Sequence, residues 1–307
     1  MRTASSAARP FLKWAGGKRQ LLPQLRRFYP ERFRGYHEPF LGSGAVFFDL
    51  AAAAGLRGRR VRLTDVNADL IGCWLQVRDA PEAVIDRLRA LESDYNDAPA
   101  EHYYRIRDEQ FNPARTAIVR GIGSYTPDLA AMLIFLNRTG YNGLFRLNSK
   151  GMFNVPHGRY TNPRICDAEN LRRVAATLSG LAVDIVHEPY RKVLDTARRG
   201  DFIYFDPPYA PLSMTAQFTS YTADGFTSAD QLQLQRVVIK LAKRGCHFLL
   251  SNSTASEITT LYEDSPDTLQ VGISAHRVAA RRAINSNAAR RGEVSEYAIT
   301  NVSAQAV

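Results

Sequence analysis

Four consecutive residues, Asp206-Pro207-Pro208-Tyr209, carry the clearest chemical signal in the sequence. They follow a short apolar run, residues 202–205, which is bounded by Gly200 and the prolines and is typical of a buried strand. Each proline fixes its own φ and favours an extended conformation in the residue before it, so Asp206 and Pro207 are expected to be extended. The Asp206 carboxylate and a backbone carbonyl can then each accept one N–H of a planar amine, and Tyr209 offers an aromatic face.

This arrangement predicts methylation of a nucleobase amino group. The lone pair of the 6-amino group of adenine is delocalised into the ring, which makes the nitrogen a poor nucleophile. Two acceptors that hold its N–H groups out of the ring plane favour attack on a methyl group, and the charge of Asp206 stabilises the cation that forms. The alternative is an ordinary loop at the end of a strand, where proline pairs are common.

A second candidate site is the strand, glycine turn and helix start at residues 38–44. Glycine allows a close approach to a ligand, and a helix N-terminus favours negative groups. Asp65 lies 21 residues after Gly44, at the end of the next predicted strand, where an acid suits two ribose hydroxyls. Position 47 is Phe rather than the third glycine of a dinucleotide-binding turn, which disfavours a nicotinamide cofactor.

Residues 11–18 place Trp14 beside two glycines and Lys18. Trp14 can stack on a ligand, and Lys18 can reach a carboxylate. Trp14 can equally be a core residue.

The chain of 307 residues has a net charge of +10, which suggests a polyanionic partner. The positive charge is concentrated in residues 1–34, 137–162 and 272–292, whereas residues 71–136 hold seven Arg against ten Asp and Glu. Such patches favour a phosphate-binding surface, although solvation explains any single arginine as well. We interpret the arginines of the last stretch as phosphate or surface contacts: Arg277, Arg281, Arg282, Arg290 and Arg291.

The composition also excludes some classes of protein. No apolar run approaches 18 residues and the N-terminus lacks a signal-peptide pattern, so we expect no membrane span. The three cysteines, Cys73, Cys166 and Cys246, have neither a disulfide nor a metal-binding spacing, which fits a reducing cytosol. We interpret them as small, buried apolar residues and expect no metal site.

Alternating helix and strand signals predict an α/β fold with a doubly wound sheet. Residues 71–162 are expected to form a mostly helical insertion, which ends in a β-hairpin at about 139–161 with its turn at 148–151. The remaining residues, 1–70 and 163–307, are expected to form one domain. We expect its strands at residues 35–40, 61–65, 181–186, 202–205, 247–250 and 294–301, and helices starting at 45 and spanning 167–179 and 228–244.

Taken in order, these segments resemble the DNA adenine-N6 methyltransferases of the Dam type, from Phe11 to Asn301. The most specific stretches are residues 11–18, 136–146, 153–160 and 206–213. The resemblance implies a Rossmann-like methyltransferase sheet with an inserted helical DNA-recognition domain, and catalysis by Asp206, Pro207, Pro208 and Tyr209. It also implies S-adenosylmethionine as methyl donor, bound at Trp14, Lys18, Asp65 and Asp206, to which the glycine turn adds Phe40, Gly42 and Gly44.

The family further implies that double-stranded DNA is the partner. A base inside a duplex cannot reach Asp206, so the target adenine must be flipped out and stacked on Tyr209. The hairpin suggests GATC as the site, although Thr139 stands where Dam-type enzymes often carry an aromatic residue. Tyr141 and Asn142 match family positions that wedge into the duplex, and Arg146 can donate two hydrogen bonds to a guanine. Positions that contact bases in the family are matched by Lys13, Leu144 and Pro156. Beside them lie Arg138, Arg159 and Tyr160.

Two other functions stay open at this stage. One is methylation of a different amine, on structured RNA or a protein side-chain amide; the other is a catalytically silent DNA-binding protein. We expect a cytoplasmic, nucleoid-associated protein of bacterial or phage origin, monomeric or weakly associating, without a membrane partner. The sequence leaves open a role in strand marking, in replication timing or beside a restriction endonuclease.

Overall fold

We describe a computed structural model of the chain, which covers residues 7–211, 226–281 and 293–305. Arg282, Arg290 and Arg291 of the basic stretch, and residues 212–213 of the last matching stretch, lie outside the described residues. The strands are β1 (Gly35–Glu38), β2 (Arg60–Asp65), β3 (Ala182–His187), β4 (Phe202–Phe205), β5 (His247–Ser253), β6 (Ser274–Arg281) and β7 (Glu293–Thr300).

Twelve α-helices occur within the described residues. They are α1 (Leu22–Leu25), α2 (Ala45–Ala52), α3 (Ala68–Asp79), α4 (Pro81–Asp97), α5 (Pro99–Arg105), α6 (Asn112–Val119), α7 (Pro127–Thr139), α8 (Ala168–Gly180), α9 (Val193–Thr196), α10 (Ser228–Lys243), α11 (Ser256–Tyr262) and α12 (Pro266–Gln270). Short 3₁₀ turns occupy Lys18–Gln20, Arg26–Phe28, Tyr141–Gly143 and Tyr190–Lys192, and a π-helical turn joins α5 to α6 at Ile106–Phe111.

The strands form one seven-stranded sheet in the order β3-β2-β1-β4-β5-β7-β6. Strand β1 pairs in parallel with β2 and β4, and β4 pairs in parallel with β5. Strand β7 runs antiparallel to both of its neighbours, β5 and β6. This mostly parallel sheet with interspersed helices confirms the predicted α/β class, and β4 confirms the strand expected before the Asp-Pro-Pro-Tyr motif.

Strand β6 was missed by the sequence analysis, which interpreted its residues only as part of a basic stretch. No clear alternation of polar and apolar residues marks this strand in the sequence, because His276 and Arg277 are adjacent and residues 278–280 are all apolar. In the structure, Val278 is buried between exposed neighbours. The interpretation of the cysteines holds for Cys73 and Cys246, which are buried, and is wrong for Cys166, which is half-buried.

The chain divides into two compact units, each made of separate stretches of sequence. Unit 1 comprises Met1–Gly17, Gly42–Gly58 and Asp65–His187, and unit 2 comprises Lys18–Leu41, Arg59–Thr64 and Glu188–Val307. The separate inserted domain at residues 71–162 stays a prediction. No helix within the described ranges is both long enough and apolar enough to cross a bilayer.

Unit 1 has a helical core centred on α7, which packs against α3 and α4. Helix α7 begins at Pro127 because Thr126 caps it, accepting a hydrogen bond from the Leu129 backbone N–H at 3.2 Å. Its side chains from 129 to 137 are all buried. On α3, Trp74 is fully buried and stacks on Phe48 with 5.6 Å between ring centroids. These contacts give the stretches of unit 1 a common core.

Unit 2 has its core between α10 and the strands β4 and β5. All four residues of β4 are buried, as expected of a central parallel strand covered on both faces. Helix α10 starts with a capping box formed by Thr227 and Asp230. Its side chains Leu234, Val238 and Leu241 belong to the same buried cluster as β5. The motif that follows β4 therefore starts from a rigid base.

Residues 139–161 fold back on themselves as predicted, but they do not form a strand ladder. Their turn is closed by a hydrogen bond from the Asn148 backbone N–H to the Met152 carbonyl, at 2.9 Å. Within the described residues of this segment, the pairing consists of isolated bridges. They join Gly140 to His157 and Leu147 to Phe153.

Helix side chains bind the backbone of this segment. The Asn112 amide accepts from the Phe153 N–H at 2.8 Å and donates to the Phe153 carbonyl at 3.0 Å. The Tyr103 hydroxyl donates to the Val155 carbonyl at 2.9 Å. These groups are bonded to helix side chains, whereas the Asn154 N–H bonds the Arg146 carbonyl across the loop at 3.1 Å. The predicted β-hairpin is therefore present as a fold-back with isolated antiparallel bridges rather than as two strands, and we call residues 139–161 the recognition loop below.

Candidate functional site

Side chains from α10 and β5 hold the backbone of residues 208–210, at the end of the Asp-Pro-Pro-Tyr motif. Gln231 donates to the Pro208 carbonyl at 3.1 Å. Asn252 accepts from the Ala210 backbone N–H at 3.2 Å, and the Ser253 hydroxyl donates to the Ala210 carbonyl at 2.6 Å. Asn252 also donates to Gln231 at 3.0 Å, so these side chains form one network. The turn is therefore fixed in place before any ligand arrives.

The Pro207 carbonyl differs from its neighbours in this turn. Within the described parts of the chain, no hydrogen bond to it is present, whereas the Pro208 and Ala210 carbonyls are both bonded. The Asp206 carboxylate and the Pro207 carbonyl are the two acceptors that the sequence analysis named, and their role in catalysis stays a prediction.

The Asp206 carboxylate is bound to Lys18. The Lys18 Nζ lies 2.7 Å from Asp206 Oδ1, and the two side chains are 3% and 22% exposed. Burial raises the pKa of Asp206, the positive charge of Lys18 lowers it, and the negative charge of Glu296 raises it further. Lys18 was predicted to be able to reach a carboxylate, and in this structure the carboxylate that it contacts is Asp206.

Tyr209 is held at both ends of its side chain. Its backbone lies in the fixed turn, and its hydroxyl donates to Glu296 Oε2 at 2.7 Å. Burial and the charges of Asp206 and Glu296 raise the pKa of Tyr209 well above its usual value, so the side chain stays a neutral phenol. The Lys18 Nζ lies 4.6 Å from the centre of its ring. Glu296 was missed by the sequence analysis because its partner is 87 residues away along the chain.

Phe40, also in unit 2, follows β1 and lies among aromatic side chains. Its ring stacks on Tyr190 with 5.1 Å between centroids and an angle of 23° between planes. The edges of Phe205 and Phe226 complete its surroundings. Phe40 is only partly buried.

In unit 1, the glycine turn is built around Asp65. The carboxylate accepts from the Gly42 N–H at 3.2 Å and from the Asn67 N–H at 2.9 Å. Gly42 has a φ of +47°, and a Cβ there would lie 2.8 Å from Trp14 Cδ1, so only glycine fits. Gly44, with a φ of +65°, precedes the first residue of α2. Burial raises the pKa of Asp65, and the backbone N–H groups lower it.

These groups fit the predicted donor. The turn is a cradle that a Cβ would fill, and the lone pairs left on Asp65 can accept ribose hydroxyls. Trp14 is partly exposed rather than part of the core, and its ring stacks on Phe145 at 5.8 Å and 25°. One face of the indole is thereby supported by the recognition loop.

The recognition loop is fastened to residues 11–14 by Asn137, which is 2% exposed. Its side chain accepts from the Lys13 N–H and donates to the Lys13 and Gly143 carbonyls, each at 2.8 Å. The neighbouring Arg138 donates to the Phe11 carbonyl at 2.7 Å, which places this predicted DNA-binding residue on the protein backbone. Asn137 was missed as a site residue, although it lies within the matching stretch 136–146.

The start of the recognition loop is a 3₁₀ turn that displays two predicted wedging residues. Tyr141 is 53% exposed, and Asn142 has a φ of +53°. Gly143 lies so close to Lys13 that a Cβ would be 2.6 Å from the Lys13 Cβ. The Lys13 Nζ sits 4.1 Å from the centre of the Tyr160 ring, and burial lowers the pKa of Lys13.

Arg146 lies in the middle of the recognition loop with its side chain exposed. Its Nε donates to Asn154 Oδ1 at 2.8 Å, and its Nη2 donates to the Asn154 carbonyl at 3.2 Å. These two hydrogen bonds orient the guanidinium group. Of the other predicted DNA-binding residues, Lys13 contacts Tyr160 of the recognition loop. The remaining predicted DNA-binding residues of this segment are Leu144, which is partly buried, and Pro156 and Arg159, which are exposed.

Comparison with known proteins agrees with these features. Residues 14–284 match the D12 class N6 adenine-specific DNA methyltransferase family. The Type II methyltransferase M1.LlaDCHI of Lactococcus lactis subsp. cremoris is 36% identical, over 95% of each chain. The Type II methyltransferase M.MjaIII of Methanocaldococcus jannaschii is 37% identical, over 95% of this chain and 99% of that protein. The DNA adenine methylase of Escherichia coli (strain K12) is 34% identical, over 94% and 93%.

The family match covers most of the chain, and it includes the glycine turn, the recognition loop and the Asp-Pro-Pro-Tyr motif. Enzymes of this family take the methyl group from S-adenosylmethionine. The chain belongs to the D12 class of N6 adenine-specific DNA methyltransferases.

Proposed function

We propose that this enzyme methylates adenine within GATC in duplex DNA, and that it flips the target adenine out of the helix first. The observation that carries the methylation chemistry is the pair of acceptors at the end of β4, and the choice of GATC rests on the resemblance of the recognition loop. The Asp206 carboxylate is held by Lys18, and the Pro207 carbonyl is free of hydrogen bonds from the described residues. An amine that donates one N–H to each acceptor satisfies both of them.

The chemistry follows from these positions. S-adenosylmethionine, when bound, supplies a methyl group attached to a positively charged sulfur. Asp206 and the Pro207 carbonyl orient the adenine N6 so that its lone pair points away from the ring system, and Tyr209 stacks on the base. The negative charge of Asp206 stabilises the nitrogen as it becomes cationic, an interaction that is stronger in the transition state than in the ground state.

We propose residues that bind the methyl donor separately for unit 2 and for unit 1. In unit 2 we assign Lys18, Phe40 and Asp206 to the donor. In unit 1 the partly exposed Trp14 offers a stacking surface, Asp65 offers acceptors for hydroxyl groups, and Gly42 and Gly44 allow a close approach of the backbone.

Flipping a base costs a few kcal/mol, which contacts in the duplex must offset. Tyr141 is the best placed residue of the recognition loop for this role, because its ring is 53% exposed on a turn fixed by Asn137. Its backbone N–H is bonded to the Pro156 carbonyl at 2.9 Å, so the turn does not yield when the ring meets the stacked bases. We assign Asn142 to the same wedge.

Base recognition is proposed for the exposed side of the recognition loop. The guanidinium of Arg146 can donate two hydrogen bonds to a guanine, the commonest specific contact in the major groove. Lys13, Leu144 and Pro156 are assigned to base contacts, and Arg159 and Tyr160 to neighbouring positions on the DNA. Arg138 is assigned a contact with DNA as well, although its donation to Phe11 shows that it also supports the loop.

The specificity is tested with a labelled methyl donor and two duplexes that differ by one base pair within GATC. We expect label in the adenine of the intact site and background label in the altered duplex. A 2-aminopurine at the target position should become brighter on binding, because it leaves the stack. Equal labelling of both duplexes would remove the GATC assignment, and an unchanged fluorescence would remove flipping.

Replacing Arg146 by alanine should lower kcat/KM on GATC by about 5- to 150-fold, equivalent to about 1–3 kcal/mol of transition-state stabilisation, and relax discrimination at one base pair. The exposed Arg159 provides the matched control. Arg159→Ala should weaken binding of all sequences to a similar small degree, as loss of a phosphate contact does. The measurement is a set of initial rates on duplexes that carry each substitution of the site. Unchanged discrimination in Arg146→Ala would assign the readout to another residue.

A further inference from the structure

Glu296 lies on β7, opposite Ser253 of β5 and Val278 of β6. Because β7 is paired on both sides, the backbone of Glu296 is fixed within the sheet. Its side chain is partly buried, and Oε2 accepts the hydrogen bond of the Tyr209 hydroxyl at 2.7 Å. This acid therefore contacts the Asp-Pro-Pro-Tyr motif from a strand that lies far from the motif in sequence.

We propose that Glu296 is a positioning residue for methyl transfer, which fixes the ring of Tyr209 by accepting the hydrogen bond of its hydroxyl. The inference rests on the proposed stacking of the target adenine on Tyr209. Glu296 acts through Tyr209 and does not itself touch the base.

The need for such a residue follows from how the motif is held. The prolines and the network of Gln231, Asn252 and Ser253 fix the backbone, but they leave the side-chain torsions of Tyr209 unrestrained. A ring that rotates presents its face to the base for only part of the time. The bond from the hydroxyl to a carboxylate on a paired strand fixes the far end of the ring, and a hydrogen bond to a charged acceptor is stronger than one to a neutral group.

The charges around Asp206 supply an independent readout. The charged and titratable groups described around this carboxylate are Lys18, Tyr204, Tyr209 and Glu296. Burial raises the pKa values of both tyrosines well above the usual range, so they stay neutral. Asp206 must be ionised to accept the amine, so the rate falls as pH falls through its raised pKa. Removing the charge of Glu296 lowers that pKa and moves the acid limb to lower pH.

The test compares Glu296→Ala, Glu296→Gln, Tyr209→Phe and the double variant Tyr209→Phe/Glu296→Ala. Single-turnover rates are measured with saturating donor on unmethylated genomic DNA, which contains every short site. We expect Glu296→Ala and Tyr209→Phe each to lower the rate about tenfold, equivalent to about 1.4 kcal/mol, and the double variant to be no slower than either. Glutamine keeps an acceptor, so Glu296→Gln should stay within about threefold of the wild type, with its acid limb at lower pH.

The outcomes separate positioning from a merely structural role. If Glu296 had only a structural role, Glu296→Ala would lower the melting temperature, but the rates of the single and double variants would not follow the expected pattern. The pH profile of Glu296→Gln would then stay unshifted. Glu263→Ala, which removes an equal charge from an exposed pair with Arg277, serves as control and should keep the wild-type rate. If Glu296→Ala does not fold, Glu296→Asp takes its place in the cycle, because aspartate keeps the charge while its shorter side chain withdraws the acceptor from the Tyr209 hydroxyl.

A wild-type rate in Glu296→Ala, or additive losses in the double variant, would overturn the inference. Failure of the proposed function looks different. If the wild-type enzyme labels genomic DNA outside GATC, the specificity is wrong and the comparison of variants still stands. If 2-aminopurine shows no flipping in the wild type, the stacking role of Tyr209 is wrong.

Discussion

Replacing Asp206 by asparagine should lower the rate of methyl transfer by roughly 10²–10³-fold, the range found when one preorganised electrostatic group of an active site is removed. Asparagine has the same shape and keeps an oxygen that Lys18 can bind, so the turn should survive the change. The substitution removes the negative charge that stabilises the adenine nitrogen as it becomes cationic. Affinity for DNA should stay within a few-fold, because that charge matters mainly in the transition state.

The measurement is a single-turnover rate with saturating donor and DNA, together with the Kd of the duplex. Asp195→Asn is the matched control, because it removes the same charge from an exposed pair with Lys192. That control should keep the wild-type rate. If Asp206→Asn retained more than about a tenth of the wild-type rate, the charge of Asp206 would not be the main catalytic contribution.

Replacing Asn137 by alanine should lower the free energy of unfolding by about 3 kcal/mol, because unpaired buried polar groups cost about 1–3 kcal/mol each. The change leaves the Lys13 N–H and the Lys13 and Gly143 carbonyls without their partner. These groups hold the segment that carries Trp14 against the recognition loop. We therefore also expect weaker discrimination between duplexes in the folded fraction.

Stability is measured by denaturant unfolding and discrimination by rates on matched duplexes at a temperature where the variant is folded. Asn96→Ala, an exposed amide on α4, is the control and should change the stability by less than about 0.5 kcal/mol. Equal stabilities of Asn137→Ala and Asn96→Ala would show that the loop does not depend on this amide.

The features that the sequence predicted are local ones. Strand β4 is an uninterrupted apolar run between a glycine and two prolines, so its bounds and its buried character follow from neighbouring residues. The glycine turn was predicted for the same reason, since glycine permits the positive φ that Gly42 adopts without any help from distant residues. Such signals do not depend on the rest of the fold.

The features that were missed depend on contacts between distant residues. Asn137 binds Lys13 across 124 positions, and Glu296 binds Tyr209 across 87. Nothing in the types of these residues indicates their partners. The recognition loop shows both cases: its turn residues predicted the fold-back, whereas nothing in the sequence indicated the bonds from Asn112 and Tyr103 to its backbone.

The position of β7 has a consequence for how the protein is synthesised. This strand is made after every other described strand, yet it pairs between β5 and β6. Until the ribosome has passed residue 300, the nascent polypeptide has an open edge on β5 and lacks the acid that binds Tyr209. A stalled or truncated product would therefore be prone to aggregate through that edge and would carry an incompletely assembled motif.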